Sequence, residues 1–193
     1  VTTHTEPHVL SYGEAKLKKD GITVSEHYFD IFSWKFIKGS AATAIPDAYS
    51  LVLTQSAAKA LFGDAEPMNK IVKIDDEYDA KVTAIIEDIP GNCSFQFDYI
   101  NMFNYAGDYE KRAMGNWQNS SWNVFLQMVP GANMTVMDKT INDIKQQHDP
   151  GDKKISAYFS FPMNKWRLYS EFKNGKNTGG MIEYVNLFTI IAI

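Results

Sequence analysis

Ile71-Val72-Lys73-Ile74-Asp75-Asp76-Glu77-Tyr78-Asp79-Ala80-Lys81-Val82-Thr83-Ala84-Ile85-Ile86 decides the fold class of this 193-residue chain. Two apolar, β-branched runs flank the acidic triplet Asp75-Asp76-Glu77. In the second run Tyr78, Ala80, Val82, Ala84 and Ile86 share one side of a period-two pattern, and Asp79, Lys81 and Thr83 the other. Successive strand side chains point to opposite faces, so the spacing predicts a half-buried antiparallel hairpin over Ile71 to Ile74 and Tyr78 to Ile86. Pro90-Gly91-Asn92 then turns the chain into Phe95, Phe97 and Tyr99, which alternate again.

Upstream, Ser50-Leu51-Val52-Leu53 reads as a short buried strand. It runs into Thr54, a good N-cap for a helix over Gln55 to Phe62, with Gly63 as its stop. Trp34 to Ile37 reads as a strand closed by Gly39, and Ser25 as an N-cap for one or two turns carrying Tyr28, Phe29 and Phe32. Tyr12 to Val24 is strand-like, with Asp20-Gly21 as a hairpin-type dipeptide. Downstream, residues 100–120 read as an irregular or helical excursion ending near Trp117. Val124 to Val129 and Ile155 to Pro162 read as strands on either side of a helix over Val136 to Gln147. Asn133 or Thr135 caps that helix, Met137, Ile141 and Ile144 mark its apolar face, and Pro150-Gly151 ends it. This order suits a βαβ crossover. The fold class is α+β, a β-rich lobe with antiparallel hairpins followed by the βαβ unit.

Composition narrows the function. Apolar residues make up 45% and aromatics 13%, enough for a substantial core and incompatible with global disorder. The net charge is -4 and no basic run exceeds two residues, which excludes a phosphate-tracking nucleic-acid binder. Cys93 is the lone cysteine, so a disulfide scaffold is excluded while the compartment stays open.

Chemical motifs are sparse. His4 and His8 flank Glu6 at i, i+4, but Pro7 and the terminal position favour a mobile tail over a metal site. His27 and His148 offer no ligand spacing. Asp75-Asp76-Glu77-Asp79 lacks the twelve-residue calcium-loop pattern and reads as a solvated turn. Gly175-Lys176-Asn177 lacks the upstream Gly and the Ser/Thr of a phosphate loop, and no GxSxG elbow occurs. Ser56-Ala57-Ala58-Lys59, Ser121-Trp122-Asn123 and Lys176-Asn177-Thr178-Gly179 echo the S-x-x-K, S-x-N and K-T-G elements of a penicillin-recognising serine acyl-transferase. Asn177 interrupts the third element, and Ser56 and Lys59 fit an ordinary polar helix face, so this enzyme is a remote alternative.

The ends carry more information. Val1 to His8 is polar, without an apolar signal region or an initiator Met, and suggests a piece of a longer chain. Tyr184 to Ile193 is almost continuously apolar. Ten helical residues reach only about 15 Å, half of a roughly 30 Å hydrocarbon core. By periodicity the segment is either a buried terminal element or the first turns of a severed transmembrane helix.

A family resemblance runs through most of residues 22–193 in order. Val24 to Gly39 resembles the D-x-x-F-F-x-x-F-x-F-x-x-x-x-G segment of MacB-like periplasmic core domains, which belong to ABC-transporter permeases of the MacB/FtsX type. Val52 to Gly63 is similar to V-L-T-x-x-x-A-x-x-L-F-G, Glu66 to Lys70 to x-P-I-G-K, and Val82 to Pro90 to V-T-G-V-x-x-D-x-P. Asn92 to Tyr99 resembles N-S-H-x-Q-F-D-F, and Phe161 to Ser170 resembles x-P-L-x-x-I-H-L-Y-S. Asn69 and Ala84 stand where Gly is usual, and Ser94 and Arg167 where His is usual. Asn tolerates the left-handed backbone best among non-glycine residues, so Asn69 is compatible with the turn.

The resemblance implies a periplasmic lobe of the Sabre type over 1–123, the second half of a porter-like βαβ subdomain over 124–183, and the start of a truncated transmembrane helix over 184–193. It implies a non-enzymatic segment of an inner-membrane permease of a Gram-negative bacterium, facing the periplasm. That segment would transmit ATP-driven movement and dock partner proteins or cargo. The implied partners are its own transmembrane helices, a permease dimer partner, a cytoplasmic ATP-binding subunit or domain, and a periplasmic or outer-membrane protein, with no nucleic acid. No catalytic, cofactor or metal residue is expected. A periplasmic ligand- or peptide-sensing module is the alternative, and the acyl-transferase with Ser56 and Lys59 the remote one.

Overall fold

The computed structural model describes residues 1–103, 115–117, 121–152 and 157–191. The chain divides into two compact units, Val1–Val129 and Pro130–Ile193.

The first unit is a six-stranded ring. β1 (Thr2–Tyr12) and β2 (Ala15–Val24) form a long hairpin across Gly13, whose φ of 57° supplies the left-handed turn. Pairing continues from β2 to β7 (Tyr99–Met102), to β4 (Ser50–Thr54), to β6 (Tyr78–Ile86), to β5 (Ile71–Ile74) and back to β1. The β2–β7 and β4–β6 pairs are parallel and the others antiparallel. β3 (Phe36–Lys38) adds to β6, and β8 (Asn123–Val124) to the first residues of β1. Closing a sheet on itself pairs the edge groups that otherwise invite association.

This geometry overturns two expectations. The His4–His8 stretch is not a tail but the middle of β1, paired residue by residue with β2. Asp20-Gly21 does not turn the chain; it lies inside β2, where Gly21 faces Tyr99. A Cβ on Gly21 would lie 2.1 Å from that ring, so the glycine is required for close approach.

The hairpin over Ile71–Ile86 forms as its periodicity predicts, with Asp75 and Asp76 both left-handed in the turn. Its alternation is broken, however. Against β4, Leu51 pairs with Val82 but Val52 pairs with Ala84, leaving Thr83 as a bulged residue. The Thr83 hydroxyl donates to the Ala44 carbonyl at 2.5 Å and to that of Leu51 at 3.2 Å. Beyond the bulge the strand changes parity. Ala80, Val82 and Ile85 join the main core cluster, while Ala84 and Ile86 are buried elsewhere. Tyr78, expected on the buried face, is exposed.

The main cluster joins Leu10, Leu51, Leu53, Val72, Val82 and Tyr99 to one face of helix α3 (Gln55–Phe62), after two one-turn helices, α1 (Tyr28–Ile31) and α2 (Ala41–Ala44). Thr54 caps α3 by accepting the Ala57 N–H, and Gly63 at φ 61° ends it. A separate aromatic group has Phe32 at its centre, 4.8 Å from Tyr28, 5.2 Å from Phe95 and 5.1 Å from Phe125. His27, not Ser25, is the N-cap of α1; the Ser25 hydroxyl instead accepts the Thr2 N–H.

In the second unit α4 (Met134–His148) is capped by Asn133, whose side-chain oxygen accepts the N–H groups of Thr135 and Val136. Its face is only partly apolar: Ile144 is exposed and Lys145 buried, beside the Tyr158 ring. Of the strand expected over Val124 to Val129 only Val124 joins a ladder, as the last residue of β8. Of Ile155 to Pro162, residues 155 and 156 lie outside the described residues and 157–162 join no ladder. Side chains of α4 bond that backbone instead. Asn142 bonds both the N–H and the carbonyl of Tyr158, and Asp138 accepts from the N–H and hydroxyl of Ser160. Of the expected excursion over 100–120, residues 104–114 and 118–120 lie outside the described residues. A hairpin unforeseen from sequence follows, β9 (Glu171–Lys173) and β10 (Lys176–Gly179), with Asn174 and Gly175 left-handed between them. Helix α5 (Met181–Ile191) succeeds it.

Candidate functional site

The serine–lysine pair of the remote enzyme reading lies on α3, but its polar groups serve the helix. The Ser56 hydroxyl donates to Asp88 Oδ2 at 2.6 Å, and Asp88 Oδ1 accepts the Ser56 N–H at 2.8 Å. Asp88 thus anchors the first turn of α3 from the segment after β6, satisfying an N–H that no helical carbonyl reaches. The Lys59 ammonium pairs with Asp64 and holds that carboxyl below the usual carboxylate range. Neither contact gives Ser56 a base in the lysine of its motif. Asn123 lies on β8, paired with Thr3 of β1. Lys176 to Gly179 forms β10, and Asn177 donates to the carbonyls of Tyr169 and Glu171. The three elements bear on three different secondary-structure elements, α3, β8 and β10.

The histidines and acidic turn meet unexpectedly. His4, Glu6 and His8 share one face of β1, and both imidazoles approach the Glu6 carboxylate, at 3.5 Å and 3.1 Å. His8 Nδ1 lies 2.5 Å from Asp75 Oδ2, and Asp75 Oδ1 accepts the Val9 N–H at 2.8 Å. Partial burial pushes the Asp75 carboxyl up, but the bonds from Val9 and His8 outweigh it and hold the group below its ordinary value. Asp76 pairs with Lys16, and Asp79 lies 3.5 Å from Lys73. The carboxylates are occupied by internal cations and amides, and the described residues contain no His/Cys/Asp/Glu group suited to a metal ion.

What remains chemically distinctive is α5. Met181, Tyr184, Val185, Leu187, Phe188, Ile190 and Ile191 are each about half or more exposed. At 100° per residue these seven positions cover an arc of about 220°, with Asn186 and Thr189 in the gap and Glu183 at its edge, a far wider apolar face than the stripe of about 100° on a helix packed at a water surface. Eleven residues span about 16 Å. Among the described residues no helix is long and apolar enough to cross a membrane.

The segments that carry the family resemblance are core segments. Val52 and Leu53 of β4 are fully buried, and Leu61, Phe62 and Gly63 complete α3 and its stop. Asn69 takes the left-handed backbone, φ 62°, that its place in the x-P-I-G-K turn requires. Residues 2–144 match the MacB-like periplasmic core domain. The chain belongs to the MacB-like periplasmic core domain family. Its fold resembles a domain of a protein described as a permease from Porphyromonas gingivalis, at 17% identity and a TM-score of 0.62, over 77% of this chain and 64% of that one. It also resembles the extracellular domain of the noncanonic ABC-type transporter YknZ from Gram-positive bacteria, at 13% identity and a TM-score of 0.53, over 77% and 75% of the two chains. The periplasmic region of MacB from Actinobacillus actinomycetemcomitans matches at 17% identity and a TM-score of 0.48, over 76% and 66%. The chain thus spans somewhat under two thirds of the Porphyromonas domain. No curated protein sequence matches it.

Membership in this family makes the chain a periplasmic-type domain of a MacB/FtsX-like ABC-transporter permease. The match ends within α4, so β9, β10 and α5 lie beyond it. Sequence reasoning passed over two sets of residues there. The Asn174-Gly175 hairpin signal is available in the sequence, but Gly175 enters the sequence reading only as the start of the incomplete phosphate loop Gly175-Lys176-Asn177. Gly179 enters the sequence reading only as the end of the interrupted K-T-G element, and the positive φ of Gly179 and Gly180 is visible only in the structure.

Proposed function

We propose that this MacB-like domain is a non-enzymatic transmission element, which passes ATP-driven movement of a permease to partner proteins outside the membrane. The observation that carries the proposal is α5, which presents exposed apolar side chains around well over half of its circumference directly after a hydrogen-bonded hairpin. Such a helix is stable in lipid and costly in water. On this reading residues 184–193 begin a membrane helix, and 124–183 supply half of a porter-like subdomain. The closed ring of β1, β2, β4, β5, β6 and β7, within the lobe proposed over 1–123, supplies the rigid part. Six mutually paired strands filled by Leu10, Leu51, Val72 and Val82 transmit displacement rather than absorb it, because close-packed interiors compress little.

The proposed partners are the protein's own transmembrane helices, a second permease copy, a cytoplasmic ATP-binding subunit or domain, and a periplasmic or outer-membrane protein. The proposed setting is the inner membrane of a Gram-negative bacterium. Pulsed spin-label distances in the full permease with its ATPase, in lipid nanodiscs, test the reading. Labels on the ring of the two copies are expected to change separation when ATP replaces ADP. Unchanged distances across the nucleotide cycle would refute transmission. Time-dependent acylation of Ser56 by a fluorescent penicillin would refute the non-enzymatic part.

A further inference from the structure

Gly179 and Gly180 join β10 to α5 with φ values of 125° and 134°, a region open essentially to glycine alone. Space is as restrictive as the dihedrals. A Cβ on Gly180 would lie 2.9 Å from the Ser170 backbone nitrogen and 3.1 Å from both the Leu168 carbonyl oxygen and Ser170 Oγ. The backbone of the joint therefore lies flat against the turn that precedes β9. Across that contact the Ile182 N–H donates to the Leu168 carbonyl at 3.0 Å, and within the joint the Glu183 N–H donates to the Gly180 carbonyl at 3.0 Å. The first N–H groups of a helix have no partner within it, so the Ile182 bond is a tie between α5 and the body of its unit.

The tie continues inward. Asn177 donates to the Tyr169 and Glu171 carbonyls on either side of Ser170, and its oxygen accepts the Gly179 N–H. Phe172 of β9 packs 5.6 Å from Phe159 and 5.0 Å from Phe161. Between those rings Ser160 is bonded to Asp138 of α4, and next to them Tyr158 is bonded to Asn142.

We infer that Gly179–Gly180, closed on Leu168 and Ser170 and stapled by Asn177, is a stiff joint that fixes α5 to the β9–β10 hairpin and makes the helix a lever rather than a tether. The inference rests on the transmission reading for its purpose, but its geometry is independent of that reading. A tether would use a polar, unbonded linker; this junction uses two residues in angles that only a fixed environment maintains.

The experiment uses the 193-residue chain in dodecylmaltoside micelles, in a Cys93→Ser background with spin labels at Lys173 and Asn186. The expected result is a single narrow distance distribution, broadened at least twofold by Gly180→Ala, while the ring of the first unit melts unchanged. Hydrogen exchange at the Ile182 amide reads the same joint without a glycine substitution. At least about hundredfold protection relative to an unbonded first-turn amide is expected, and loss of that protection in Gly180→Ala. A broad distribution in the unsubstituted joint, or an unprotected Ile182 amide, would overturn the joint and leave transmission to its own test. A narrow distribution alongside nucleotide-independent distances in the full permease would keep the joint and remove the transmission reading.

Discussion

Gly21 and Tyr99 oppose each other across the parallel β2–β7 pair, and the closeness of that pair is open to measurement. A Cβ at position 21 would lie 2.1 Å from Tyr99 Cζ, 2.3 Å from its hydroxyl oxygen and 2.5 Å from Cε2. Nonbonded carbons settle at 3.5–4.0 Å, so Gly21→Ala must drive the ring back by roughly 1.4 Å. Tyr99 is fully buried in the cluster with Leu51, Leu53 and Val82, and any retreat displaces them. Overpacking of this kind costs about 1–3 kcal/mol. The backbone at Gly21 is ordinary strand, where alanine instead gains about 0.5–1 kcal/mol of conformational entropy. A net loss of about 1–2 kcal/mol is expected. Tyr99→Leu withdraws the distal ring atoms while keeping an apolar side chain in place. In that background Gly21→Ala is expected to be neutral or mildly stabilising, giving a coupling of about 2 kcal/mol between the positions. Urea unfolding of the four proteins, followed by tryptophan fluorescence, measures the cycle. An equal cost of Gly21→Ala in both backgrounds would refute the close-approach account of the glycine.

Other consequences follow from the contacts around the ring. Asp88→Ala removes the carboxylate that anchors Ser56, and is expected to destabilise the first unit by about 1 kcal/mol in the same unfolding assay, as loss of a helix N-terminal acceptor does. Asp75, held below the ordinary carboxylate value, contributes stability that is fully present above about pH 4 and disappears as pH falls through its folded-state pKa. Solvent screening keeps that contribution under about 1 kcal/mol, and Asp75→Asn should flatten the acid limb of a stability–pH curve; an unchanged limb counts against the Val9 and His8 bonds. Leu53→Ala, at a fully buried site, is expected to cost about 2–5 kcal/mol, whereas Leu187→Ala on α5 should stay within about 0.5 kcal/mol in water. Flotation with phosphatidylcholine vesicles should respond in the opposite order, weakening for Leu187→Asp and not for substitutions inside the ring.

Much of the fold is written in local chemistry. The hairpin at Ile71–Ile86, the capped helix from Thr54 to Gly63 and the Asn133 cap of α4 each depend on residues within a few positions of one another. Their periodicity and cap residues therefore suffice to read them. The alternation of β6 fails at Thr83 because a bulge is a property of two strands, and its partner β4 lies thirty residues upstream. His4 to His8 resembles a tail for a similar reason: Pro7 and alternating polar residues look unstructured until β2 is laid beside them. The strand expected over Ile155 to Pro162 has β-forming residues, yet along 157–160 its backbone bonds go to Asp138 and Asn142 of a helix rather than to a ladder. The candidate enzyme motif shows the converse error. Ser56 and Lys59 satisfy a pattern, but the hydroxyl is committed to Asp88 and the ammonium to Asp64, neither of which the pattern contains.

The amino-acid order alone determined the α+β class, the likeness to MacB-like domains and the apolar character of the final helix, because burial preference, capping and strand period act between near neighbours. Closure of six strands into a ring, the demand for glycine opposite Tyr99 and the fixing of α5 through Leu168 were decided only by the tertiary structure. Each arises where backbone distant in sequence approaches to within van der Waals contact, and that proximity leaves no trace in composition or spacing.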